Sequence, residues 1–377
     1  MEYKKINELT TVVTGGTPST RKNEYWDNGD IPWLQSGCCQ NCDVDSTEKY
    51  ITKEGYNNSS THMMPADTVM IALTGATAGK VGYLKFEACG NQSITGILPC
   101  ESLNQRYLFF YLLSQREKIL ADCVGGAQAH ISQSYVKNMT IPILAIKEQE
   151  QIVGELTKVS NIVSLRQEEI QQLDNLVKAR FVEMFGDCTN MISLSDLCLI
   201  ITDGTHQSPK FQHEGIPFIL VSNLSKNTVT YDTDKFISAE TYKELYKRTP
   251  IEIGDILLST VGSYGHPAVV VEDRKFLFQR HIAYLKPKSD ILNSYYMHGA
   301  LLSPGCQRQI EEKVKGIAQK TLNLSEIRKI RIPVPSLDLQ KQYADFVHQV
   351  NKSKVAVQKA LDESQILFDS LMQKYFG

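Results

Sequence analysis

The end of this chain repeats its middle. Residues 141–153, IPILAIKEQEQIV, return 191 positions later at 332–344 as IPVPSLDLQKQYA. With the same offset Gly125-Gly-Ala-Gln128 falls on Gly316-Ile-Ala-Gln319, and Met184-Phe-Gly186 on Tyr375-Phe-Gly377. The ungapped match covers about 62 residues in each copy, and self-similarity on that scale constrains the fold more than any local pattern. Upstream the offset drifts between 185 and 189, as insertions in loops produce. Ile6-Asn-Glu-Leu9 answers Leu194-Ser-Asp-Leu197, Gly16-Thr17 answers Gly204-Thr205, Ile31-Pro-Trp33 answers Ile216-Pro-Phe218, and Asp67 answers Asp255. Two copies of one module fill the chain, which makes it a tandem duplication and not a solenoid of many short repeats.

Each module has two parts. The first carries short β-rich runs broken by Gly, Pro and Asn, such as 67–73, 94–99, 218–221, 255–259 and 268–271. Helical stretches follow near 105–122 and 292–315, so the reading is an α+β globular domain. The second part is one long helix. Proline keeps the preceding residue extended, so the Ile-Pro pairs fix the lead-in. In the first copy apolar residues then fall at Ile152, Leu156, Val159, Val163, Ile170, Leu173, Val177, Phe181 and Met184, with Arg166 the only polar residue on that stripe. The second gives Tyr343, Val347, Val350, Val357, Leu361, Phe368, Met372 and Tyr375, interrupted by Lys354 and Ser364. Steps of three and four define one face of a helix. A helix of about 40 residues is a rod of roughly 55 Å, and alone in water it is marginal. The natural partner of each stripe is the other, in an antiparallel coiled coil with a pseudo-two-fold axis. Independent packing of each helix on its own domain is the simpler alternative. The expected boundaries are a globular domain at 1–145, a helix at 146–187, a second domain at 188–336 and a second helix at 337–377.

No apolar run approaches the roughly 18 residues of a membrane span, and MEYKKINELT lacks the apolar centre of a signal peptide. Nine cysteines without a framework suit a reducing compartment, so the expectation is a cytoplasmic protein with no membrane partner. Cys39 and Cys42 have zinc-ligand spacing, but a second close pair is missing and no metal is expected.

The stretch LTGATAGKVG at 73–82 resembles a phosphate loop at first sight. That loop needs four residues between its glycines and a Ser or Thr after the lysine; here three residues separate Gly75 from Gly79, and Val81 follows Lys80. Its counterpart, LSTVGSYGHP at 258–267, brings the second glycine one residue sooner and replaces Lys80 by His266. A turn tolerates such change, so the glycines read as backbone freedom at a loop. No zinc-protease pattern and no nucleophile elbow is present. A methyltransferase's cofactor loop and base-flipping clamp are missing too.

These residues resemble the specificity subunit of type I restriction–modification systems. The markers are the Ile-Pro lead-in followed by Glu148-Gln149, the RFVEMFGD ending at 180–187, and the order domain, helix, domain, helix over the whole chain. The second helix departs by opening Asp338-Leu-Gln340, and the chain is short for the family. The resemblance implies two target recognition domains, each reading one half of a split double-stranded DNA sequence, with the helices as a ruler between them. It implies no catalysis in this chain, which would dock two methyltransferase subunits and, in the full complex, ATP-driven restriction subunits. Adenosylmethionine, ATP and magnesium would then belong to those partners.

Lys and Arg neutralise phosphates, while Gln, Asn, Ser, Arg and His reach base edges. Neither domain is basic overall: residues 1–140 hold 12 Lys+Arg against 14 Asp+Glu, and 190–331 hold 18 against 15. The candidates are polar loops that recur in both copies. Thr17, Ser19, Arg21 and Lys22 answer a loop with His206 and Lys210, and Gln35-Ser36 answers Ser222-Asn223. Lys80 answers Ser263, Tyr264 and His266, and Gln92-Ser93 answers Gln279-Arg280-His281. Solvated turns, or for Gln92 and Gln279 buried hydrogen bonds, are the alternative roles. A duplicated coiled-coil scaffold with no DNA contact is the rival function.

Overall fold

The computed structural model describes residues 2–122, 130–316 and 319–377, so the Gly125-Gly-Ala-Gln128 match lies outside the described residues. Two compact units are present, Met1–Leu165 with Ala360–Gly377, and Arg166–Lys359. Their boundaries fall inside both long helices, Ile146–Phe185 and Leu337–Phe376.

In the first unit, strand Glu2–Lys5 pairs antiparallel with Thr140–Ile143, which brings the start of the domain to the start of the long helix. A five-stranded sheet runs in the order Val12–Thr14, Ile94–Ile97, Val69–Ala72, Val81–Leu84, Cys42–Val44. Only its last pairing is parallel. Strands Val69–Ala72, Val81–Leu84 and Ile94–Ile97 are buried throughout, which explains why they read as continuous apolar runs and not as alternating ones. A small sheet joins Tyr50–Ile51, Ile31–Leu34 and Cys89–Gly90. Helix Gln105–Ser114 lies on the large sheet, its first turn capped by Asn104.

The second unit repeats this plan. Met191–Ser193 pairs with Arg331–Pro333. A four-stranded antiparallel sheet runs Cys198–Asp203, Ile282–Pro287, Ile256–Ser259, Pro267–Val269. The small sheet is Phe236–Ile237, Ile216–Ile219, Leu277–Phe278. Helix Ser294–Leu302 is capped by Asn293. Among the described residues the fifth strand of the first unit has no counterpart here.

One pairing read from sequence shifts by a residue. Asp67 N–H donates to Leu84 O as Gly254 N–H donates to Val270 O, so Asp67 matches Gly254 and not Asp255. Both have positive φ, 66° and 91°, at the turn before the strand. Each carboxylate accepts from a tyrosine of a different neighbouring strand: Asp67 from Tyr83 Oη at 2.9 Å on the hairpin strand, Asp255 from Tyr284 Oη at 2.8 Å on the strand on the other side.

Within each unit the helix stripes are packed into the core where they meet the globular part, while Val163, Ile170, Leu173 and Leu361 farther along are half-buried. Ile152, Leu156 and Met372 join one core together with Tyr107 and Leu108, and Tyr375 Oη donates to Glu155. In the second unit Phe181 and Phe185 meet Tyr296 and Tyr343 at centroid distances of 4.9–5.7 Å. The pairs Phe181–Tyr343 and Asp174–Lys354 show the two helix segments running antiparallel. Each large apolar side chain so buried contributes about 1.5–3 kcal/mol. Lys354, an interruption of the stripe, is thus answered by a carboxylate.

A glutamine joins each long helix to its domain. Gln149 Oε1 accepts from Asn104 N–H at 2.8 Å, while its Nε2 donates to Leu144 O and Ser102 O. Gln340 Oε1 accepts from Asn293 N–H at 2.9 Å, while its Nε2 donates to Pro335 O and Ile291 O. Both are fully buried. The unusual opening of the second helix therefore keeps the glutamine that ties the helix to its domain. Among the described residues no helix is long and apolar enough to cross a membrane.

Candidate nucleic-acid interface

The polar loops are mounted on a shared backbone frame at the strand ends. Gly15 N–H donates to Ile94 O and Gly16 N–H to Gly90 O. Gly204 N–H donates to Ile282 O and Thr205 N–H to Phe278 O. The structural match is therefore Gly15 with Gly204, one residue away from the Gly-Thr match in sequence. Glycine is required by space: a Cβ would stand 2.1 Å from Asn91 O at Gly15, and 2.3 Å from Phe278 O at Gly204.

The turn opposite these glycines shifts likewise. Asn91 N–H donates to Leu34 O and Gln279 N–H to Ile219 O; Leu73 N–H donates to Ser93 O and Thr260 N–H to His281 O. Asn91, Gln92 and Ser93 therefore match Gln279, Arg280 and His281. The Gln35-Ser36 loop moves by two. Cys38 N–H donates to Gln35 O as Asn223 N–H donates to Leu220 O, so Gln35 matches Leu220 and not Ser222.

In the first domain the structure brings Thr17, Gln35 and Gln92 to one cleft of about 850 Å³. Thr17 Oγ1 donates to Gln92 Oε1 at 2.5 Å. Ser19 and Arg21 are exposed on the same loop, where Ser19 O accepts from Trp26 Nε1. Lys22 Nζ donates to Tyr25 Oη at 2.9 Å and pairs with Glu24; the Tyr25 hydroxyl and then that carboxylate raise its pKa. Ser36 and Ser93 are half-buried. Trp26, Asn23, Tyr50 and Asn91 line the cleft without having been singled out from sequence. The available signal was that the chain's two tryptophans, Trp26 and Trp33, both fall in this polar region. They meet edge to face at 5.0 Å.

In the second domain the candidates divide between two clefts. His206 borders one of about 420 Å³. Its Nε2 lies 2.8 Å from Asp203, which also pairs with Arg248 at 2.7 Å. Arg280 and His281 border another of about 580 Å³, with Gln319 and Asn323. Arg280 Nε–H donates to His281 Nε2 at 3.3 Å. Burial, and then the adjacent Arg280 charge, hold the His281 imidazole below its ordinary pKa, which keeps it an acceptor. Lys210 and Ser222 are exposed, and Gln279 is half-buried. Neither Gln92 nor Gln279 is thus a buried core hydrogen-bonder. Asn223 is the correction. It is buried, its Nδ2 donates to Asp232 O and Thr230 Oγ1, and its Oδ1 accepts from Leu220 N–H, so the amide holds its own loop together.

The glycine-rich stretch connects two antiparallel strands, Val69–Ala72 and Val81–Leu84, where a phosphate loop would lead into a helix. Gly75 and Gly79 have φ of 73° and 74°; Gly262 and Gly265, at the same hairpin of the second domain, have 71° and 81°. Only glycine adopts such angles freely. Lys80 Nζ donates to Gln40 Oε1 at 2.6 Å, and His266 Nδ1 lies 3.0 Å from Asn227 Oδ1. Ser263 is exposed, whereas Tyr264 Oη donates to Glu311 at 2.6 Å beside Lys320. Among the described residues no group of three or more His, Cys, Asp or Glu could hold a metal ion.

Comparison with known proteins fits this duplicated arrangement. The family model described as "Type I restriction modification DNA specificity domain" matches twice, at residues 1–175 and 189–364. The specificity subunit of the type I restriction enzyme EcoR124I/EcoR124II of Escherichia coli is 33% identical over 169 residues, 44% of this chain and 42% of that protein. The MjaIX specificity subunit of Methanocaldococcus jannaschii is 23% identical over 99% of this chain and 92% of its own length. In fold, the S subunit of a type I restriction–modification system from M. genitalium superposes with a TM-score of 0.57 at 17% identity, covering 100% of this chain and 96% of that one. These matches agree with a DNA-specificity role and not with an unrelated scaffold. Two copies of the specificity module on one frame, over nearly the whole chain, place this protein in the type I restriction–modification specificity subunit family, with two recognition domains.

Proposed function

We propose that this chain reads a bipartite double-stranded DNA sequence, one half-site per recognition domain, and presents it to methyltransferase subunits. The observation that carries this reading is the twofold family match to one backbone frame whose exposed loops differ between copies. Phosphate contacts from exposed residues such as Arg21, Lys22 and Lys210 set affinity and its salt dependence, and base-edge contacts set sequence. The chain acts as a non-catalytic cytoplasmic subunit. Two methyltransferase subunits supply adenosylmethionine chemistry, and restriction subunits supply ATP- and magnesium-dependent cleavage. The paired helices fix the number of unread base pairs between the half-sites.

Sequencing the methylated bases of the host with and without this gene tests the reading. Loss of one split, asymmetric motif is expected, and an unchanged methylome with the partner genes expressed refutes it. Inserting one heptad into both helices adds about 10 Å of rod, so the methylated motif should gain about three base pairs of spacer. An unchanged spacer would refute the ruler role alone.

A further inference from the structure

The two domains present the same turn with different side chains at its tip. Gln92 and Arg280 occupy one backbone position, between residues whose main-chain bonds are the same in both copies. Both side chains are exposed, and each borders a cleft of its own domain. Each is also prepared by a neighbour. The Thr17 hydroxyl occupies one lone pair of Gln92 Oε1, leaving the other lone pair and both Nε2 hydrogens. His281 accepts from Arg280 Nε–H, leaving the Nη fork, and among the described residues no carboxylate pairs with Arg280.

The other matched positions are less free. Lys80 and His266 are tied to Gln40 and Asn227, His206 to Asp203, and the counterpart of Gln35 is the apolar Leu220. The 92/280 position combines exposure, a retained frame and a change of hydrogen-bonding type.

We propose that Gln92 and Arg280 are specificity-determining residues that read different bases, Gln92 an adenine and Arg280 a guanine. An amide offers one donor and one acceptor, the complement of adenine N7 and N6–H₂; a guanidinium offers two parallel donors, the complement of guanine N7 and O6. The assignment rests on the DNA-recognition reading above and adds to it the base classes of the two half-sites. The half-site of the first domain contains an A·T pair fixed by Gln92, and that of the second a G·C pair fixed by Arg280.

The test uses the chain assembled with its methyltransferase subunits. The methylated motif is determined first, and competition binding is then measured on duplexes in which each motif position is replaced in turn. In the unaltered complex, replacing the relevant G·C or A·T pair should weaken binding about 5- to 150-fold. Arg280→Ala should bring that ratio close to one at a single G·C position and leave the ratios elsewhere intact. Gln92→Ala should do the same at a single A·T position in the other half. Arg280→Lys keeps the charge and still donates to guanine N7 and O6 without the rigid fork, so it should retain most of the affinity for unrelated DNA and part of the guanine ratio that Arg280→Ala loses. Unchanged ratios in Arg280→Ala and Gln92→Ala, or a uniform loss at every position, would overturn the assignment while leaving DNA recognition standing. An unaltered complex that discriminates no sequence would overturn the DNA-recognition reading itself.

Discussion

In the first recognition domain the buried Gln149 amide takes a hydrogen bond from the backbone of its helix cap; in the second, Gln340 does the same at nearly the same distance. A few residues from the strand ends that the two copies share, the domains part company. One turn carries Gln92 and the other Arg280; one cleft gathers two tryptophans and a tyrosine, while its nearest counterparts are lined by His206 and Arg248 or by Arg280 and His281. The hydrogen bonds that build the frame repeat, and the side chains facing solvent do not. A duplicated reader needs that division: the frame supplies position, and the tips supply difference.

The comparison breaks most severely at the two glycines. Gly15→Ala and Gly204→Ala each force a Cβ against backbone carbonyls, which cannot swing aside as side chains do. Each should cost about 3 kcal/mol, seen as a lowered denaturant midpoint. A tolerated alanine in only one domain would show that the frames are not equivalent. Next come Gln149→Ala and Gln340→Ala, which orphan a buried N–H and two carbonyls. A loss of about 2 kcal/mol apiece is expected, read as faster amide exchange at the start of each long helix.

Acid should separate the domains further. His298 Nε2 lies 3.0 Å from Asn227 O and 3.2 Å from Pro267 O, and burial holds its pKa below the ordinary value of 6.5. Between that lowered value and 6.5 the unfolded chain binds a proton that the folded chain refuses, so stability is lost as pH falls through this window. The matching residue of the first domain is Phe109, since Tyr107 and Tyr296 donate alike to Pro142 O and Pro333 O. The second domain should therefore melt earlier as pH drops, and His298→Phe should remove that pH dependence. The smallest effect is expected from Lys354→Leu. Its ion pair with Asp174 is partly exposed, and such pairs are worth about 0–1 kcal/mol, so a near-neutral thermal shift is expected. A large loss would make this pair a register lock of the second unit.

Much of this was legible in the sequence because two regular signals coincide. A constant offset of 191 located the duplicated joint, and apolar steps of three and four located the helix faces that are buried or half-buried. Loop registers in the structure differ from the match of letters by one or two residues. Identical letters such as Gly-Thr attract an alignment, whereas the backbone follows the glycine that must approach a carbonyl. Asn223 looked like a reader because polarity is visible in sequence and burial is not. The cleft of the first domain was hidden for a different reason: Thr17, Gln35 and Gln92 are distant in sequence and meet only when the strands pair.

The unit boundary inside each long helix has a consequence for biosynthesis. The first unit is finished by Ala360–Gly377, whose Met372 joins the core of Ile152 and Leu156. At ribosomal speeds of about 5–20 residues per second, roughly 10–40 s pass between emergence of the first helix and arrival of that cover. For that interval the nascent first domain exposes an apolar stripe that belongs to its own core. A chain stopped before residue 360 would leave the unit farthest from the stop site unfinished, so a late nonsense mutation should damage the earliest-made domain.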